Sequence, residues 1–390
     1  MAALVEARYF RLPKRGKPKA DGSQWTILAG FVLEDSPRPR QVVALATGTK
    51  CVGGLDFDVA QPRDDTLVCD SHAEVLARRA LLRWLLDQAS LSVGMPSRSV
   101  FERPPSGGRL RLRDGVRLHM YVSQAPCGDA TITRDGGSTG AHPVEWERYG
   151  RHDGTTPGIL RTKPGKGAAA HSLSCSDKLA IWNVVGLQGA LLSHLVEPIF
   201  LSSIAVGDGF CRHAMERALW HRTHSGAPCA LACRPARSDG DAPFSESRAG
   251  LTALAGIAGA AEPQPCGHSV NWYRSAIGSG AGGSLPAELA HFAVYVEAEA
   301  TLAKTGLKIG TTKKDRRLLP APAPRCRSRL CRRAVLREFS AVCRRLRSRG
   351  NAFPDAVADA IADAAADAVA HEGGEFFYVP LHFTRILLTI

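Results

Sequence analysis

Ser71-His72-Ala73-Glu74-Val75-Leu76-Ala77-Arg78-Arg79-Ala80-Leu81-Leu82-Arg83-Trp84-Leu85-Leu86 decides how this chain folds. With Asp70 or Ser71 as the cap, residues 72–89 read as one helix. It is apolar on nearly every face, so it belongs in an interior. Residues 26–33 and 42–47, bounded by Pro/Arg and Gly turn signals, read as paired strands, and Arg117–Ser123 alternates toward another that ends at Pro126. A second apolar helix follows Ser174. Strands, helix, strand and helix in this order predict an α/β fold, a mixed sheet flanked by helices.

Three side chains at the ends of these elements form a ligand set. His72 opens the first helix, Cys127 stands in Pro126-Cys127-Gly128-Asp129 at a strand-to-helix junction, and Cys175 opens the second helix. One imidazole and two thiolates suit tetrahedral Zn²⁺, with the fourth position left to water. Glu74 can then move protons without binding the metal, the arrangement used by zinc deaminases of nucleobases. Spacing alone leaves another reading open, in which His72 caps a helix and both thiols are buried hydrophobes. Pro126-Cys127 lacks the second Cys three residues on that the commonest deaminase pattern carries.

Longer stretches carry a resemblance. The His72 helix, Ser174-Cys175-Ser176-Asp177-Lys178-Leu179-Ala180-Ile181-Trp182-Asn183, Gly48-Thr49-Lys50-Cys51, Lys163-Pro164-Gly165-Lys166-Gly167 and Gly310-Thr311-Thr312-Lys313-Lys314 are similar to the adenosine deaminases that act on RNA, and among them to the tRNA-specific branch. The resemblance runs from about residue 8 to about residue 348. It implies a cytidine-deaminase-like three-layer core enlarged by family-specific helices, filling one domain over residues 1–350. It also implies that His72, Cys127 and Cys175 bind Zn²⁺, that Glu74 is general base and acid, and that adenosine becomes inosine in tRNA, next to the anticodon of alanine tRNA on its 3′ side.

The resemblance further implies a buried inositol hexakisphosphate enclosed by Arg78, Arg79, Lys178, Trp182 and Lys314. Cations on such apolar helices otherwise need carboxylate partners, for which Asp177 and Glu197 are candidates. Two departures count against a complete polyphosphate site. Ile181 stands where the family carries Arg, and residues 351–390 form a divergent, Asp-Ala-rich tail without a match. RNA contact is expected from Gly48, Thr49 and Lys50 and from Lys163 and Lys166. A cation at Lys166 suits an open loop better than a duplex, because an unpaired base costs least to extrude.

Composition sets outer bounds. A net charge of +13 over 390 residues suits a polyanionic partner. Eleven cysteines, odd in number and without a tight spacing framework, fit a reducing compartment. No apolar leader opens the chain and no run of 18 apolar residues occurs, so a cytoplasmic or nuclear protein is expected, with tRNA and neither DNA nor a membrane as its partner. Oligomeric state is not legible. Residues 226–267 and 276–286 read as long loops, and His221, His224, Cys229 and Cys233 within or beside the first make a weaker second metal set. Two other readings stand beside tRNA deamination. One is an editor of duplex RNA, disfavoured because no duplex-RNA-binding module precedes the matched region; the other is a catalytically silent RNA-binding or scaffold protein of the same fold.

Overall fold

The computed structural model describes residues 1–52, 65–105, 107–133, 157, 160–163, 172–221, 233–239, 242–254, 262–275, 298–312 and 324–348. Eight strands form one sheet: β1 (Leu28–Asp35), β2 (Arg38–Thr47), β3 (Val116–Gln124), β4 (Leu201–Asp208), β5 (Arg234–Arg237), β6 (His268–Tyr273), β7 (Glu299–Leu302) and β8 (Leu307–Lys308), ordered β8-β7-β6-β2-β1-β3-β4-β5. The pairs β3–β4 and β4–β5 are parallel and the other pairs antiparallel, so the sheet is mixed as expected.

Both faces of the sheet are covered, which explains why β1 is buried along almost its whole length. Leu28 and Val32 pack with Val5 and Tyr9 of helix α1 (Ala2–Phe10), whereas Ala29, Phe31 and Leu33 face the opposite core with Leu76, Ala80 and Trp84 of α2 (Ala73–Gly94). Gly30 allows α1 to come this close, since a Cβ there would lie 2.6 Å from Val5 Cγ1. Across the second face, α2 packs between the sheet and α4 (Arg332–Ser348), and α3 (Cys175–Val185) joins the same core. In α4 the apolar stripe Val335, Phe339, Val342 and Leu346 turns inward, while Arg337 and Arg344 stay exposed.

Two expectations need correction. Helix α2 begins at Ala73 and runs to Gly94, with His72 itself at the cap position. Asp70 accepts the His72 N–H at 3.0 Å, so the turn before the helix is closed by the residue two positions earlier. The 226–267 stretch is also not wholly loop. It contributes edge strand β5, a helix over Arg248–Leu254 and the short strand Gln264–Pro265, which pairs with Gln24–Trp25. Only Pro235 of β5 is buried, so no apolar alternation announces that strand, and an edge position tolerates its proline. No helix among the described residues is long and apolar enough to cross a membrane, and every described cysteine is free.

Candidate metal centre and active site

Three chain segments converge at the end of β3, and hydrogen bonds between them hold the ligand atoms in place. The N–H of Ala73, at the start of α2, donates to Gly48 O at 3.0 Å. Only glycine fits at position 48, because a Cβ would lie 1.9 Å from Ser71 O. On the second segment Cys127 leaves β3, and its carbonyl accepts the Ser176 N–H at 3.0 Å. Ser176 Oγ donates to Pro126 O at 3.1 Å and accepts the Ala130 N–H at 3.0 Å. Cys175 opens α3, where Ser174 Oγ caps the helix by accepting from Asp177 N.

His72 Nδ1 lies 3.7 Å from Cys127 Sγ and 3.5 Å from Cys175 Sγ, and the three donor atoms all fall within 4.8 Å of one another. Tetrahedral zinc with its usual bond lengths sets such donors about 3.5 Å apart, so the set fits that ion. Gly128 is the tight point of this assembly. Its φ is +102° and a Cβ would stand 2.3 Å from Ser174 Oγ, so alanine there is strained in conformation and in space. Gly128→Ala is expected to lower the melting temperature and to weaken metal retention, both measurable by thermal unfolding with and without added zinc.

Glu74, in the first turn of α2, is 2% exposed, and its Oε2 has no hydrogen-bond partner. Burial first, and then the neighbouring Cys127, pushes its carboxyl above the usual range, with His72 and Lys163 opposing. A carboxyl poised this way exchanges protons more readily near neutral pH than an exposed one. Cys127 is shifted the other way. The hydrogen bond with Cys175, helped by His72 and Lys163, holds its thiol well below the ordinary range despite burial. A thiolate is the form that ligates metal.

Beneath the ligands lies a charged cluster that the sequence reading did not contain. Asp70, 8% exposed, takes Lys163 Nζ on Oδ1 at 2.9 Å and on Oδ2 at 2.7 Å, and Ser172 Oγ on Oδ2 at 2.6 Å. Lys178 Nζ also donates to Asp70 Oδ2, and lies 2.6 Å from Ser172 Oγ. Burial would raise the Asp70 carboxyl, but Lys163 and Lys178 outweigh it and hold the group well below its usual range. The signal for Asp70 was present, since an acid two residues before His72 closes a turn on its N–H. Nothing local, however, pairs it with lysines 93 and 108 positions away.

The other expected site residues take the following places. Lys163 is 2% exposed, its ammonium bound to Asp70. Gly48 is buried against Ser71, a packing position; of its neighbours Thr49 is half-buried and Lys50 exposed. Lys178 donates to Asp70, and the candidate partner Asp177 accepts Arg161 N at 2.9 Å. Arg78 donates from Nε to Leu187 O at 3.0 Å and lies 4.9 Å from the centre of the buried Trp182 ring; Arg79 donates to Leu330 O at 2.7 Å. Among the described residues neither guanidinium forms a salt bridge with a carboxylate, and burial followed by repulsion from Arg79 lowers Arg78 to about 9. Ile181 packs partly against the main core. Lys166, Lys314, His224, Cys229 and residues 351–390 lie outside the described residues. Of the weaker metal set, Cys233 is a buried thiol in the main core, which burial pushes up to about 12.

Residues 44–277 match the adenosine-deaminase (editase) domain family. The chain is 35% identical over 250 residues to tRNA-specific adenosine deaminase 1 of Drosophila melanogaster, covering 57% of this chain and 58% of that protein. It is 38% identical over 222 residues to double-stranded RNA-specific editase B2 of Mus musculus, covering 50% and 29%. An alignment with tRNA-specific adenosine deaminase 1 of Macaca fascicularis reaches 92% of this chain and 90% of that protein at 27% identity. The chain thus spans less than two thirds of the first two of these relatives.

Proposed function

Because this chain belongs to the adenosine-deaminase (editase) domain family, we propose that it hydrolyses adenosine to inosine in tRNA, with His72, Cys127 and Cys175 holding Zn²⁺ and Glu74 moving the protons. The observation that carries this reading is the buried Glu74 Oε2, left without a partner in the first turn of the helix that His72 caps, where His72, Cys127 and Cys175 form a set of zinc dimensions. A bound zinc supplies the Lewis acidity that brings the pKa of water down to about 7. Glu74 takes a proton from the attacking water as a C–O bond forms at adenine C6. It returns that proton to the amino nitrogen as the C–N bond breaks, so adenosine and water give inosine and ammonia. Lys163 and the first turn of α3 keep Cys127 in its thiolate form and in position.

The choice of tRNA, and within it the adenosine 3′ of the alanine anticodon, rests on the relatives named for tRNA and on the open-loop argument from Lys166. Editing of duplex RNA is the competing reading, favoured by the 38% identity to the mouse editase. Inosine formation on alanine tRNA and on a long perfect duplex separates the two. Faster deamination of the tRNA is expected; preference for the duplex transfers the assignment to the editor. The inositol hexakisphosphate reading is narrower. It is supported by the buried Arg78 and the half-buried Arg79, cations for which an anion is the natural complement.

A further inference from the structure

A histidine that gives one ring nitrogen to a metal keeps a proton on the other, and that N–H needs an acceptor to fix the ring's tautomer and orientation. For His72, Nδ1 faces the thiols of Cys127 and Cys175. Two further groups come within reach of the imidazole. Cys51 Sγ, an Asp70 carboxylate oxygen and a His72 ring nitrogen lie within 4.8 Å of one another, which sets the thiol beside the imidazole. Asp70 is the poorer acceptor because its oxygens are already occupied. Oδ1 takes the His72 N–H, Lys163 and the Cys51 thiol, and Oδ2 takes Lys163, Ser172 and Lys178. That leaves the sulfur of Cys51.

Backbone pairing puts the thiol there. Cys51 and Asp70 form an antiparallel bridge, flanked by Ser71 N–H to Lys50 O at 3.0 Å and Val52 N–H to Cys69 O at 2.8 Å. Cys51 Sγ then donates to Asp70 Oδ1 at 3.4 Å. We propose that Cys51 is a positioning residue for the metal ligand His72, its sulfur accepting the imidazole N–H while its own S–H is held by Asp70. Asp70 thereby grips His72 twice, directly through the backbone N–H and indirectly through Cys51. A second metal ion held by Cys51, Asp70 and His72 is the alternative use of the same atoms. It is disfavoured because the ammonium groups of Lys163 and Lys178 already neutralise Asp70.

This inference rests on the proposed zinc role of His72, Cys127 and Cys175, and the test separates the two. Zinc affinity is measured on the full chain by competition with a chromophoric chelator, for the wild type, Cys51→Val and Cys51→Ser. Valine fills similar space without an acceptor, and is expected to weaken zinc binding about 10- to 100-fold, the usual effect of losing such an outer partner. Serine keeps a donor and an acceptor, and is expected to restore affinity to within a few fold of wild type. With Co²⁺ in place of zinc, both variants should keep the thiolate-to-cobalt charge-transfer intensity of the wild type, since Cys127 and Cys175 are untouched. Wild-type affinity in Cys51→Val overturns the positioning role and leaves the zinc site standing. Reduced charge-transfer intensity in Cys51→Ser overturns it by making Cys51 a ligand. A wild-type chain that binds no zinc overturns both readings. Should Cys51→Val fail to fold, the serine variant still decides, because affinity lost despite its hydroxyl contradicts the role.

Discussion

Glu74→Gln is expected to keep its zinc and lose its catalysis, with kcat/KM for tRNA deamination falling about 10²–10⁴-fold, the span attributed to a positioned general acid–base group. The amide has nearly the shape of the acid and can still hydrogen-bond, so a fall of that size isolates proton transfer from packing. Metal content should not change, because Glu74 is not among the three donors that lie within zinc-ligating distance of one another. Stability should hold or rise slightly, since an amide avoids the cost of a buried charge whose Oε2 has no partner. Metal analysis and steady-state kinetics on the same preparation test both halves. Retained activity removes Glu74 from the proton path; lost zinc makes it a ligand or a support for one.

How legible was this site beforehand? Its ligands and its acid–base group each sit at a recognisable boundary: His72 and Glu74 at a helix start, Cys127 after a strand, Cys175 after a Ser cap. Such boundaries are written in local sequence, since caps, turns and apolar runs act over a few residues. The alternation that splits β1 between its two covering layers is likewise local. Edge strand β5 escaped because its polar exposed side and its proline hide the pattern.

The buried charge network escaped for a different reason. Lys163 reads as a surface cation beside a Gly-rich turn, and in isolation that is the sensible expectation for a lysine. Its burial follows from the pairing of Thr162 with Leu173 and from the Lys163 N–H bond to Ser172 O at 2.7 Å, which swing the ammonium toward Asp70. Contacts between residues this far apart in sequence have no local signature. The same holds for Arg217, which binds Asp129 Oδ2 at 2.9 Å and the Ile132 carbonyl at 2.8 Å, and so braces the turn that follows Cys127. In both cases a charged side chain far along the chain supports a ligand that the motif alone identifies.

Asp70→Asn should be the most destabilising single change at this site, about 3–5 kcal/mol, because it leaves buried cations without their counter-charge. Against a total stability of about 5–15 kcal/mol, that is enough to bring a chain of this kind close to unfolding at physiological temperature. The damage falls mainly on Lys163, at 1% side-chain exposure, whereas Lys178, at 19%, can turn its ammonium toward water. Asp70→Asn combined with Lys163→Met should therefore melt higher than Asp70→Asn alone, the methionine filling the lysine's path without a charge. An additive or worse double variant contradicts the pairing as the source of the cost. The pH dependence follows from the sign of the shift. Asp70 is held below its ordinary carboxylate range, so its stabilising contribution is complete above the unfolded value of about 3.9 and is lost only as pH falls through the lower folded value. Between pH 5 and 7 the gap in melting temperature between wild type and Asp70→Asn should consequently stay constant, closing only in stronger acid. A gap that closes already between pH 7 and 5 would mean that the two lysines do not hold Asp70 ionised.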